Sequence, residues 1–79
     1  MTRTKLAWTR HLRGLSQRDL ANLSGVSIRV IQLAEQRQRS TDNMSAHTLY
    51  RIATALECPM EALLEHDFEQ SVQKRVDRK

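Results

Sequence analysis

Gln17-Arg18-Asp19-Leu20-Ala21-Asn22-Leu23-Ser24-Gly25-Val26-Ser27 is the stretch whose reading decides the fold. It reads as a helix followed by a three-residue turn, and Ile28 onward reads as a second helix crossing the first. Leu20 and Ala21 fall on the inward face of the first helix, and the small side chain of Ala21 lets two backbones approach. Gly25 can take the left-handed conformation that reverses the chain, Val26 plugs the gap between the helices, and Ser27 caps the second helix. Ile31 and Ala34 then point back from that second helix.

The chain around this unit is short and cannot hold much else. Seventy-nine residues make one small domain with a single core and no room for a second unit. One cysteine, Cys58, excludes an intramolecular disulfide. No apolar run reaches the length of a membrane span or a signal-peptide core, so an intracellular, cytoplasmic protein without membrane contact is expected. Aromatic residues are limited to Trp8, Tyr50 and Phe68, which leaves the core to Leu, Ile, Val, Ala and Met.

Charge is distributed unevenly. Residues 1–39 hold eight basic side chains against two acidic ones, a net of +6, whereas residues 40–79 hold five basic against seven acidic, a net of −2. The positive potential therefore travels with the paired helices, where it fits neutralisation of phosphates.

Working outward, a helix is predicted from about Thr4 to Arg13, stopping at Gly14. Its pattern admits two faces, Leu6 with Thr9 and Arg10 or Trp8 with Leu12 and Leu15. Ser16 caps the next helix with Asp19 three residues on, a variant of the capping box. The third helix should run from about Ile28 to Gln36. At 100° per residue, Val30, Ile31, Ala34 and Glu35 cluster on one side with Ser27, while Arg29, Gln32, Leu33 and Gln36 cluster on the other and Ile28 lies at the border. Residues 37–44 read as a polar loop. Ser45 caps a fourth helix in which Leu49, Ile52, Ala53 and Leu56 follow helical spacing. Pro59 is placed in the first turn of a fifth helix with Met60, Leu63 and Leu64 inward. The expected core is Leu20, Ala21, Val26, Ile31, Leu49, Ile52, Ala53, Leu56 and Leu63. Beyond Glu65 the chain is charged, with Phe68, Val72 and Val76 every four residues; this reads equally as a fraying tail or an extended helix with a binding face.

The segment from Gln17 to Ser27 resembles the helix-turn-helix of the Cro and phage-repressor, or Xre, family. The likeness continues through Arg10, the Gly14-Leu15-Ser16-Gln17 lead-in, the run from Ser45 to Leu56 and Met60-Glu61-Ala62-Leu63-Leu64. It implies an all-α, five-helix repressor-like domain over residues 1–65, with residues 66–79 a charged tail or helix extension. It favours Leu6 and Arg10 as the inward side of the first helix. The function implied is sequence-specific double-stranded DNA binding, in the role of a transcriptional repressor reading the major groove with the third helix. The partner would be an operator with inverted half-sites, bound by a homodimer.

Site residues carry over position by position. Ser27, Ile28, Arg29, Gln32 and Leu33 match base-reading positions. Arg29 suits a guanine edge, Gln32 an adenine, and Ile28 and Leu33 the thymine methyl groups. Gln17, Gln36, Arg37 and Arg39 match positions that grip phosphates. Arg10 and Glu35 match a partly buried ion pair, which suits a carboxylate on the inward arc of the third helix. Two departures stand out, because relatives often carry glycine where this chain has Arg37 and Glu57. A left-handed residue there costs about 1 kcal/mol without glycine, so differently shaped loops are expected.

Catalytic chemistry is not expected. His11, His47 and His66 are far apart, no metal-ligand spacing involves Cys58, and Gly14 and Gly25 do not make a phosphate-binding loop. Neither a cofactor nor a metal is called for, and Cys58 reads as a packed thiol rather than a reactive one. From another functional class, the alternative is an antitoxin-like protein-interaction module using the apolar tail or the Ile28 and Leu33 face.

Overall fold

A computed structural model describes residues 3–65. They form four α-helices, α1 (Lys5–Leu12), α2 (Gln17–Ser24), α3 (Ile28–Glu35) and α4 (Ala46–Leu56), with 3₁₀ turns at Thr41–Asn43 and Met60–Leu63. No strand occurs among the described residues. Every α-helix starts on a hydroxyl that accepts an otherwise orphaned backbone N–H: Thr4 from Ala7, Ser16 from Asp19, Ser27 from Arg29 and Ser45 from Thr48. At α2 the capping box is complete, since the Asp19 carboxylate also accepts from the Ser16 N–H at 3.0 Å.

These short helices are held by one shared core. Leu6, Leu20, Ile31, Ile52, Leu56 and Leu63 are fully buried, with Ala34, Leu49 and Ala53 beside them. Each fully buried Leu or Ile contributes about 1.5–3 kcal/mol, which no eight-residue helix could supply from its own backbone. Of the two faces open to α1, the one carrying Leu6 and Arg10 is inward, and Trp8 and Leu12 are exposed. Ala21 and Val26, expected in the core, are only half-buried and pack on its edge, because both line an open cleft between α2 and the start of α3.

At the end of α2, Gly25 takes φ +72° and its N–H donates to the Ala21 carbonyl at 2.9 Å. A Cβ there would lie 3.2 Å from the guanidinium end of the exposed Arg51 side chain, which can shift aside, so it is the backbone angle that asks for glycine.

Two other helix ends correct the sequence reading. Arg37 and Glu57 keep the left-handed conformation, at φ 63° and 55°, where differently shaped loops were expected. The gain is hydrogen bonding. The left-handed residue lets the Cys58 N–H reach the Ala53 carbonyl at 3.0 Å, and lets the Gln38 and Arg39 N–H groups reach the Leu33 carbonyl at 3.0 and 3.2 Å. These added bonds offset about 1 kcal/mol of backbone strain. Arg13 adds a clamp at the second site, donating to the carbonyls of Leu56 at 2.8 Å and Glu57 at 3.0 Å.

A third correction concerns the expected fifth helix. Only a 3₁₀ turn stands at Met60–Leu63, with Pro59 as its cap rather than in its first turn. The buried Thr41 hydroxyl donates to the Leu63 carbonyl at 2.6 Å, and the Glu65 N–H donates to Asp42 Oδ1 at 3.0 Å. Both bonds hold the chain in an extended exit at Leu64 instead of another helical turn. The expected tail or helix extension falls on residues 66–79, outside the described residues.

Candidate nucleic-acid interface

Helix α3 has one side tied into the protein and one side turned away from it. On the inward side Ile31 and Ala34 enter the core, and Glu35 closes the contact with α1 and α2. Its Oε2 accepts from Arg10 Nε at 2.7 Å, and its Oε1 accepts from Arg10 Nη2 at 2.8 Å and from Gln17 Nε2 at 3.0 Å. The remaining Arg10 Nη1 donates to the Leu15 carbonyl at 2.8 Å. The Arg10 and Glu35 side chains are only 9% and 8% exposed. This two-pronged bond holds the guanidinium pKa above its usual value against the opposing effect of burial. One carboxylate thus fixes the mutual placement of three helices.

The outward side is left open. Ser27, Arg29 and Gln36 are exposed, while Ile28, Gln32 and Leu33 are half-buried. Among the described residues the Arg29 guanidinium has no hydrogen bond or ion pair, whereas its backbone N–H is held by Ser27 Oγ at 3.2 Å. The root of this side chain is fixed and its charged end faces water. Ile28 and Leu33 are not among the exposed large hydrophobic residues, which are Trp8, Leu12, Leu23 and Tyr50.

A cleft lies on either side of α3. One, of about 410 Å³, is lined by Arg18, Asn22, Ser27 and Ile28 among others. The other, of about 470 Å³, lies between Val30 and the start of α4 and includes Arg39, Asn43 and Ser45. The outward side of α3 therefore stands between two depressions, each with an arginine on its wall.

The phosphate-site candidates of the sequence reading separate in space. Gln17, at the first position of α2, is held by Glu35; this bond uses one hydrogen of its amide and leaves a second. Gln36 is the exposed end of α3, and its Oε1 accepts from Gln38 Nε2 at 3.5 Å. Arg37 faces Glu65, Nη1 to Oε1 3.8 Å. Arg39 is exposed on the wall of the larger cleft.

Arg18, Asn22, Asn43 and Ser45 were not drawn into this surface by sequence reasoning. For the α2 pair a signal existed, since Arg18 and Asn22 are four residues apart and share one helix face. For the other pair there was none, because the loop from Arg37 to Met44 brings Asn43 and Arg39 to one wall only through its left-handed first residue and its 3₁₀ turn.

Elsewhere the groups that could do chemistry are scattered. No set of three His, Cys, Asp or Glu side chains among the described residues could hold a metal ion. Burial pushes the Cys58 thiol pKa up, outweighing the opposite pull of Arg13, so the start of the 3₁₀ turn does not activate it. No helix among the described residues is long and apolar enough to cross a membrane.

The family model of the Cro/C1-type helix-turn-helix DNA-binding domain matches residues 5–69, an interval that contains all four helices and both clefts. No curated protein and no solved structure gives a significant match. With the matched interval taking in most of its length, the chain belongs to the Cro/C1-type helix-turn-helix family of DNA-binding domains.

Proposed function

We propose that this protein is a sequence-specific transcriptional repressor that reads the major groove of double-stranded DNA with α3. The observation that carries the reading is the outward side of α3, where Arg29, whose guanidinium has no partner among the described residues, stands between two clefts on the half of the chain with a net charge of +6. An α-helix with its side chains is about 10–12 Å across, which fits a major groove about 12 Å wide. In this reading Arg29 takes the two acceptors of a guanine edge, and Gln32 and Ser27 make polar contacts beside it. Ile28 and Leu33 cover thymine methyl groups.

Phosphates are held at both flanks. On one side the first turn of α2 offers backbone N–H groups and the second amide hydrogen of Gln17. On the other, Arg39 stands beside the start of α4, with Gln36 and Arg37 at the exit of α3. A single helix covers only a few base pairs, so the protein acts as a homodimer on inverted half-sites roughly 34–36 Å apart. The reading assigns no catalytic step and places the protein in the cytoplasm with its DNA.

Binding to the promoter region of the protein's own operon and to scrambled DNA of equal length, titrated at several salt concentrations, tests this. Preference for the promoter by about a thousandfold or more, with affinity falling as salt rises, is the expected result. Equal affinity for both DNAs would leave a nonspecific binder and overturn the proposal.

A further inference from the structure

Trp8 and Leu12 stand one turn apart on the outer side of α1, 56% and 68% exposed, and together they make an apolar strip on a helix whose other face is in the core. Nothing in the DNA-binding reading uses this strip. The described chain ends beside it. Glu65 Oε2 accepts from the backbone N–H of Lys5 at 2.8 Å, and the Glu65 N–H is held by Asp42. The last described residue is thereby fixed at the start of α1, three residues before Trp8.

We propose that the strip is the seat of the chain's own C-terminal segment, with Phe68 against Trp8 and Val72 against Leu12. Reach allows it. Three residues from Glu65 to Phe68 span up to about 10 Å when extended, while Trp8 lies only about 4.5 Å along α1 from Lys5. The spacing matches as well, since Phe68 and Val72 are four residues apart, as are Trp8 and Leu12, so two helical turns would meet pair to pair. Charge agrees with the same direction of approach. Asp67 and Glu69 flank Phe68 in sequence, and the start of α1 presents the exposed Arg3 and Lys5 together with the positive end of a helix dipole.

The only tryptophan of the chain is Trp8, which makes its fluorescence a direct reading of whether the strip is covered. In the full chain with F68S and V72S, emission should move to longer wavelength and acrylamide quenching should rise about twofold. The wild-type emission should not change on dilution. As an independent measurement, trypsin should cut after Lys74 and Arg75 about threefold faster in W8S/L12S than in the wild type, because cleavage tracks the population of the released segment. Emission and cleavage rates unaffected by these substitutions would overturn the proposal. A wild-type emission that reddens on dilution would also overturn it, in favour of a second copy as the occupant.

Discussion

The two sides of α3 both carry polar side chains, yet they are held in opposite ways. Inward, Glu35 accepts three hydrogen bonds and is nearly sealed from water. Outward, Arg29 has a fixed root and a guanidinium with no partner among the described residues. The difference separates a charge that positions helices from one that can meet a ligand. A buried ion is costly unless its partners are in place, so Glu35 and Arg10 are committed to the fold. A hydrated arginine loses far less on binding and regains it from an acceptor pair such as a guanine edge.

The largest test breaks the inward side. Glu35→Ala leaves the Arg10 guanidinium without its carboxylate in a largely buried setting, and should destabilise the domain by about 3 kcal/mol in denaturant unfolding. Glu35→Gln keeps the shape but not the charge and should cost less. If both variants melt like the wild type, the inward network is not a determinant of the fold.

Next comes the outward side, where two arginines should part company. Arg29→Ala should leave unfolding unchanged and cost about 1–3 kcal/mol on the specific site, relaxing preference at one base position. Arg39→Ala should weaken all sequences alike and lower the salt slope by about one. Competition between promoter and scrambled DNA decides it, and equal losses on both DNAs for Arg29→Ala would remove that residue from the base-reading set.

A smaller effect is expected at the helix exits. Glu57→Gly relieves a left-handed residue while Arg13 keeps its two carbonyls, and should stabilise by up to about 1 kcal/mol, part of it returned as unfolded-state entropy. Arg37→Gly relieves the same strain at the end of α3 but removes a side chain from the proposed phosphate grip, so thermal stability and DNA affinity should move in opposite directions. Parallel losses in both would show that the Arg37 side chain, not its backbone, holds that loop.

How much of the fold and of the interface is legible in the sequence depends on whether the contacts are local or distant. Helices α2, α3 and α4 announce themselves through caps and apolar spacing, because Ser16, Ser27 and Ser45 each precede a run whose inward residues recur every three or four positions. For α1 the spacing alone leaves two faces open, since Trp8 and Leu12 are as apolar as Leu6; the family resemblance selects the correct one. Apart from the Arg10–Glu35 pair, which the family resemblance implies, contacts between residues distant in sequence are not legible. Thr41 ending the turn at Leu63, Arg13 clamping the end of α4 and Glu65 meeting the start of α1 depend on how the chain returns, and no local pattern encodes them. The left-handed Arg37 and Glu57 escape sequence reasoning because strain is visible in one residue, while the hydrogen bonds that offset it involve residues on either side.

The smallest predicted effect lies at the start of α2, which carries Gln17 toward both Glu35 and the proposed phosphate. The Ser16 backbone N–H, and then its hydroxyl, hold the Asp19 carboxyl below its ordinary range. A carboxylate whose pKa is lower in the folded than in the unfolded state, where it lies near about 3.9, stabilises fully at pH above the unfolded value. That contribution is lost as pH falls through the folded value. Asp19→Asn keeps an acceptor for the Ser16 N–H and removes the charge, so its melting temperature should fall below that of the wild type at neutral pH. The two should converge in acid, once Asp19 itself is protonated. Since α3 is untouched, the preference between promoter and scrambled DNA should stay constant in this variant. A gap in melting temperature that persists at low pH would mean that the asparagine disturbs the cap by its shape, and that the charge of Asp19 has no part in holding α2 in place.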